Sequence, residues 1–318
     1  MSIKTSEQKA YQESIPASLV PSKATWREFL QMLVVLFKLR IVALLLLGAV
    51  GGAFLGAQGW PGVGNLLLLL LTGGMAAAGS SALNEYIERR SDELMRRTRL
   101  RPLPAGQISR PRLVVLISLA LILAPSLAVA PFNPALAFWL LAGAFVYVVV
   151  YTLWLKPRTL LNIVIGGGAG SAAVLSGGAV VGAWQDPAVI TLALLVFLWT
   201  PSHFWSLAIL YKNDYGRAEV PMLPVHTTLR QAAWWVFLHT GATGVAALLL
   251  AASPALGLVY LLPVLAATAD MLWRNVKLIR EPTPRNARGL FIASNVYLTV
   301  VLFAAMASVV LRRLWPVL

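Results

Sequence analysis

Residues 64–104 read GNLLLLLLTGGMAAAGSSALNEYIERRSDELMRRTRLRPLP. The first part, Gly64 to Ile87, is long and apolar enough to cross a bilayer, which takes roughly 20 residues of helix. A chain in hydrocarbon must satisfy its own backbone hydrogen bonds, so the crossing is helical. The end of the stretch then turns polar in an ordered way. Asn84, Glu88 and Asp92 fall at steps of four, which places three oxygen-bearing side chains on one helix face. Six arginines lie between positions 89 and 101. Pro102 and Pro104 then fix the backbone and end the helix.

The rest of the chain repeats the apolar part. Of 318 residues, 58% are hydrophobic and 12% charged, with a mean hydropathy of +0.76. A soluble domain carries roughly a quarter charged residues. The apolar runs predict nine spans, at about 30–56, 64–87, 112–131, 134–153, 160–183, 187–210, 232–252, 255–273 and 289–311. The fold class is therefore all-α: a polytopic membrane protein with nine transmembrane helices around a central cavity and polar segments on the cytoplasmic side. Residues 1–28 read as a disordered cytoplasmic tail without a signal peptide's apolar core, and 29–318 as one intramembrane domain.

Charge gives an independent check. The net charge of +14 invites a nucleic-acid reading, but no soluble basic domain exists to carry one. Nine spans put 24 of the 26 Lys and Arg residues on one side of the membrane, leaving Arg312 and Arg313 on the other. The positive-inside rule makes the crowded side, and the N-terminus with it, cytoplasmic. The absence of cysteine excludes disulfides and thiolate metal sites.

Spans 2 and 6 both end in polar segments on that side, four spans apart. The second segment, YKNDYGRAEVPMLP at 211–224, contains Asp214 flanked by Lys212 and Arg217. A duplicated four-helix unit would bring the two segments face to face. Oxygen ligands grouped as Asn84, Glu88 and Asp92 suit Mg²⁺, which keeps several waters and bridges to phosphates; Asp214 is a second candidate from across the cavity. Arg97 and Arg101, Lys212 and Arg217, and one of Lys38 and Arg40 are candidates to hold phosphate oxygens. Within span 6, His203 lies between Trp199 and Trp205, and an ionisable residue at that depth is a functional candidate. A hard-cation site beside arginines at a membrane surface points to ionisation of a lipid diphosphate. A transporter would carry its polar residues near the midplane instead. A purely structural assembly factor gives no reason for the shared face of Asn84, Glu88 and Asp92.

Three blocks resemble the UbiA-type intramembrane prenyltransferase superfamily and, within it, the protohaem IX farnesyltransferase branch. That branch shows Asn-x₃-Asp-x₃-Asp followed by M-x-R-T-R-x-R-P-L-P; this chain gives Asn84, Glu88 in place of the first Asp, Asp92, and then Met95–Pro104. Its YT-x-WLK-x-x-T-x-x-NI-x-IGG is matched by Tyr151–Gly167. Its LWTP-x-HFW-x-LAI, DY-x-x-A and VPMLPV are matched within Leu198–Val225, and Ala218 stands where quinone-type relatives keep a second aspartate. The resemblance implies farnesyl transfer from farnesyl diphosphate to a vinyl group of haem b, with Asn84, Glu88, Asp92 and Asp214 catalytic through Mg²⁺. It implies that His203, Trp199, Trp205 and Tyr151 face the haem, that a haem A synthase takes the product, and that the chain sits in the cell membrane. The same chemistry on another aromatic or lipid acceptor is the alternative.

Overall fold

The computed structural model describes residues 25–314. The expected tail therefore lies outside the described residues up to position 24. Its last residues open a helix instead: Thr25 caps α1 (Trp26–Leu36), in a reciprocal pair with Glu28.

The first expected span is two elements, because the chain breaks at Lys38. That residue takes the left-handed conformation, φ 50°, between α1 and α2 (Leu39–Gly56). α3 (Val63–Glu93) has 31 residues. At about 1.5 Å each it outruns a hydrocarbon core of about 30 Å, and its last turns reach the polar boundary. α4 (Pro111–Val129) and α5 (Pro134–Phe145) follow, and α5 runs on as a π-helical segment, Val146–Leu155. The Gly-rich span is α6 (Asn162–Gly166) and α7 (Gly168–Val180). α8 (Pro187–Leu210) leads into the short α9 (Lys212–Arg217) and α10 (Leu223–His226). α11 (Leu229–Ala251), α12 (Leu258–Arg280) and α13 (Pro284–Leu314) complete the bundle.

Among the described residues, eight helical spans are long and apolar enough to cross a membrane. α12 occupies the place of the remaining expected span. It has 23 residues, but Asp270, Arg274, Lys277 and Arg280 fill its second half. The chain is a multi-pass membrane protein.

α2–α5 form one group and α8 with α11–α13 the other; they join where α7 packs on α2, α5 and α8, and where α13 packs on α2. The α2–α7 contact is backbone against backbone. A Cβ on Gly177 would lie 1.8 Å from the Ala49 carbonyl oxygen, and one on Gly52 would lie 2.2 Å from that of Val174. Close approach of this kind is how membrane helices gain packing where lipid offers no hydrophobic drive. One buried cluster joins α2, α8, α11, α12 and α13 around Leu55, Leu192, Tyr260 and Tyr297. A second, around Tyr151, Trp205, Tyr215 and Met222, lies beneath the polar segments and takes in Met95.

Candidate active site

Asn84, Glu88 and Asp92 lie on one face of α3 and are 2%, 9% and 3% exposed. Buried carboxylates need compensation, and each of the three side chains meets a cation from a different part of the chain. Lys38 Nζ donates to Asn84 Oδ1, Lys156 Nζ to Glu88 Oε1 at 2.5 Å, and Arg101 to Asp92 Oδ2 at 2.7 Å. The left-handed turn at Lys38 is what breaks α1 from α2 beside Asn84. Asn84 Nδ2 donates to Thr152 Oγ1 at 2.9 Å, which leaves its amide oxygen for cations.

Thr152 comes from the π-helical segment and Lys156 is the residue that caps its end. Thr152 Oγ1 bonds the Tyr147 carbonyl and the Lys156 amide bonds that of Tyr151, each five residues back. π turns gather at functional sites because the wider turn re-aims side chains. Sequence reasoning passed over both residues. The signal was present in the YT-x-WLK block, but their reach to α3 is tertiary.

Burial and the neighbouring charges shift the bases outside the spans. Burial and the neighbouring Arg101 lower Lys38 to about 8, against the pull of Glu88. Burial also works against the charge of Lys156, but Glu88 outweighs it and raises that ammonium's pKa. Arg101 is raised in the same way, burial opposing and Asp92 prevailing.

The two polar segments meet. The Arg97 guanidinium lies 5.5 Å from the centre of the Tyr211 ring, and Met95 joins the cluster holding Tyr215. Asn162 Nδ2 donates to the Pro221 carbonyl at 3.0 Å, tying the second sequence block to the third. Asp214 is buried and paired with Arg217. Lys212 is half-buried beside it, whereas Arg40 is exposed. Neither Lys212 nor Arg40 makes a side-chain hydrogen bond or ion pair among the described residues.

The four expected haem contacts fall into two groups. Trp199 and His203 stack at 4.4 Å, with Phe291 on His203 at 4.6 Å. His203 Nδ1 lies 2.8 Å from Ser294 Oγ, whose proton goes to the Phe291 carbonyl. His203 Nδ1–H is then the donor and Nε2 keeps its lone pair. Trp205 faces the other way, edge-on to His239 at 5.3 Å, in the same buried cluster as Tyr151. A cavity of about 640 Å³ opens at the far end of the bundle, beside Gln58, Asp186, Arg312 and Arg313. It contains none of the residues expected at the site, and the paired charges mark the chemistry better than the void does.

Among the described residues no three Asp, Glu, His or Cys side chains converge on a point. The donors still fit a hard divalent cation of the magnesium kind, which takes one or two carboxylates and draws its other oxygens from water and substrate phosphate. Asn84, Glu88 and Asp92 supply buried oxygens of that type.

The profile of the UbiA prenyltransferase family matches residues 44–301. A protoheme IX farnesyltransferase of Sulfolobus acidocaldarius is 40% identical over 283 residues, covering 87% of this chain and 95% of that one. Protoheme IX farnesyltransferase 2 of Paramagnetospirillum magneticum is 41% identical over 280 residues, 88% of this chain and 97% of its own. Among solved structures, a digeranylgeranylglyceryl phosphate synthase superposes with a TM-score of 0.72 at 17% identity, over 88% of this chain and 98% of that one. A UbiA homologue from Archaeoglobus fulgidus bound to DMAPP and Mg²⁺ gives 0.58 at 17%, over 86% and 99%. These two likenesses speak for the fold. Sequence profile, close relatives and architecture agree: the chain belongs to the UbiA prenyltransferase family.

Proposed function

We propose that the chain transfers a farnesyl group from farnesyl diphosphate to a vinyl group of haem b, giving haem O and diphosphate. One observation carries the reading: three buried oxygen side chains at the end of a membrane helix, each met by a cation from a different element, in a chain about 40% identical to protoheme IX farnesyltransferases.

Asn84, Glu88 and Asp92 would offer oxygens to a divalent cation from the α3 side and Asp214 from the facing segment, with Mg²⁺ as the ion and no more than one or two of the carboxylates on any one ion. When bound, it neutralises the diphosphate and makes it a better leaving group. Arg101 and Lys38, now on Asp92 and Asn84, are positioned to turn to phosphate oxygens as charge grows on them; Arg97, Lys212 and Arg217 line the same end. The allylic C–O bond breaks and its electron pair leaves with the diphosphate. The vinyl π electrons form the new C–C bond, and the cation left beside the porphyrin takes up water and releases a proton. Apolar walls keep bulk water from the allylic cation. The flat stack of Trp199, His203 and Phe291 is the candidate wall for the porphyrin, with Tyr151 and Trp205 bordering the polar end.

On this reading the basic end faces the cytoplasm, the chain sits in the cell membrane with its N-terminus inside, and the product passes to a haem A synthase. The test is a membrane assay with haem b, farnesyl diphosphate and Mg²⁺, with and without EDTA, read by mass spectrometry. The expected product is heavier than haem b by one farnesyl and one hydroxyl and depends on metal. Diphosphate release without that product would move the activity to another acceptor.

A further inference from the structure

Glu85 stands outside the Asn84–Glu88–Asp92 set, yet it is the most deeply buried acid at this end, at 0% exposure. Its Oε1 accepts the backbone N–H of Leu103 at 3.2 Å, eighteen positions along the chain. Its Oε2 has no partner among the described residues. Asp92 lies seven positions after Glu85, about two helical turns, so both project on the same side of α3.

The segment they face is held at three points. Thr98 Oγ1 donates to the Asp92 carbonyl at 3.0 Å. The Arg101 guanidinium lies on the Asp92 carboxylate. Leu103, packed with Leu36, Ala82 and Val114, is held through its amide by Glu85. In the run Pro102-Leu103-Pro104 only Leu103 possesses an N–H, since proline has none. Glu85 therefore takes the one backbone donor the turn offers, two residues past the arginine that Asp92 holds. An apolar residue at position 85 would leave that buried N–H unpaired.

We propose that Glu85 is a positioning residue for the diphosphate-binding arginine: by pinning Leu103 it fixes the Arg101–Leu103 turn so that Arg101 stays at the mouth of the site. The proposal rests on the reading that Arg101 contacts diphosphate.

The experiment compares Glu85→Gln, which keeps an acceptor oxygen and loses the charge, with Glu85→Leu, which loses both. Two quantities are read on the full-length protein: hydrogen exchange at the Leu103 amide, and KM for farnesyl diphosphate separately from kcat. Glu85→Leu is expected to lose the amide protection and to raise KM for farnesyl diphosphate about tenfold, with a smaller change in kcat. KM for haem b should stay unchanged, and Glu85→Gln should restore both readouts. In an Arg101→Ala background, Glu85→Leu should add no further rise in KM. If Glu85→Leu does not accumulate in membranes, Leu103→Pro removes the same hydrogen bond from its donor side. A Leu103 amide that remains protected in Glu85→Leu, or a Glu85→Gln enzyme as impaired as Glu85→Leu, overturns the proposal. So does lost protection with KM unmoved while Arg101→Ala raises it. KM unmoved in Arg101→Ala itself overturns the diphosphate reading instead.

Discussion

Glu88 and Lys156 show how much of this site is decided one side chain at a time. Their pair lies at 2.5 Å with side chains 9% and 17% exposed. Removing one member of such a pair strands a buried charge, at a cost of about 3–5 kcal/mol. Lys156→Met should therefore lower the unfolding midpoint in detergent, and adding Glu88→Gln should recover most of the loss; no recovery would mean that Lys156 stabilises by packing alone. Asp92→Asn addresses chemistry instead. It leaves a side chain of the same shape facing Arg101 but weakens the oxygens offered to a cation. Turnover should fall at least about a hundredfold while the protein remains inserted and folded, and full activity would sink the metal assignment. Asn84, Glu88 and Asp92 were legible in the sequence because a helix turns their spacing directly into a shared face. Lys156, Thr152 and Glu85 were not, because their partners are 68, 68 and 18 positions away, and only the tertiary fold supplies those. Thr152 was hidden further still: its partner Asn84 was already read as a metal ligand.

The elements divide along the same line. Hydropathy marks where a helix crosses and is blind to what the helix touches. It missed the break at Lys38, because one left-handed residue leaves the apolar run intact. It also missed the π-helical turn over Val146–Leu155, since those residues fit an α-helix equally well until Thr152 has to meet Asn84. The glycines of the fifth expected span add little to its hydropathy, but in the bundle they are its contact surface. Gly177→Ala would drive a methyl into the Ala49 carbonyl, and the helices would have to separate to admit it. Overpacking of a tight core typically costs about 1–3 kcal/mol, and a clash with backbone belongs at the upper end. The variant should accumulate poorly or melt earlier, whereas Gly64→Ala, which meets nothing within 4 Å, should behave as wild type. Equal stability of the two would show that α2 and α7 yield more easily than their spacing implies.

For the whole molecule the bilayer itself made the sequence readable: its thickness fixes helix length, and its refusal of unpaired backbone fixes helix over strand. The way the two halves join through α7 and α13 had no such external ruler and was only suggested by the spacing of the polar segments. Orientation rests on charge, since the nine expected spans would put 24 of the 26 basic residues on one side. The chain has no cysteine, so one introduced thiol reports one position without background. Gln107→Cys lies in the exposed turn after Pro104, on the side of the site, and Pro254→Cys in the exposed turn between α11 and α12, on the opposite side. In intact cells a membrane-impermeant maleimide should label Pro254→Cys and spare Gln107→Cys until the membrane is opened. Labelling in the reverse order would invert the protein and put the proposed diphosphate site on the outer face of the membrane. A substrate carrying that much charge does not cross a bilayer unaided, so the same result would also require a carrier for it.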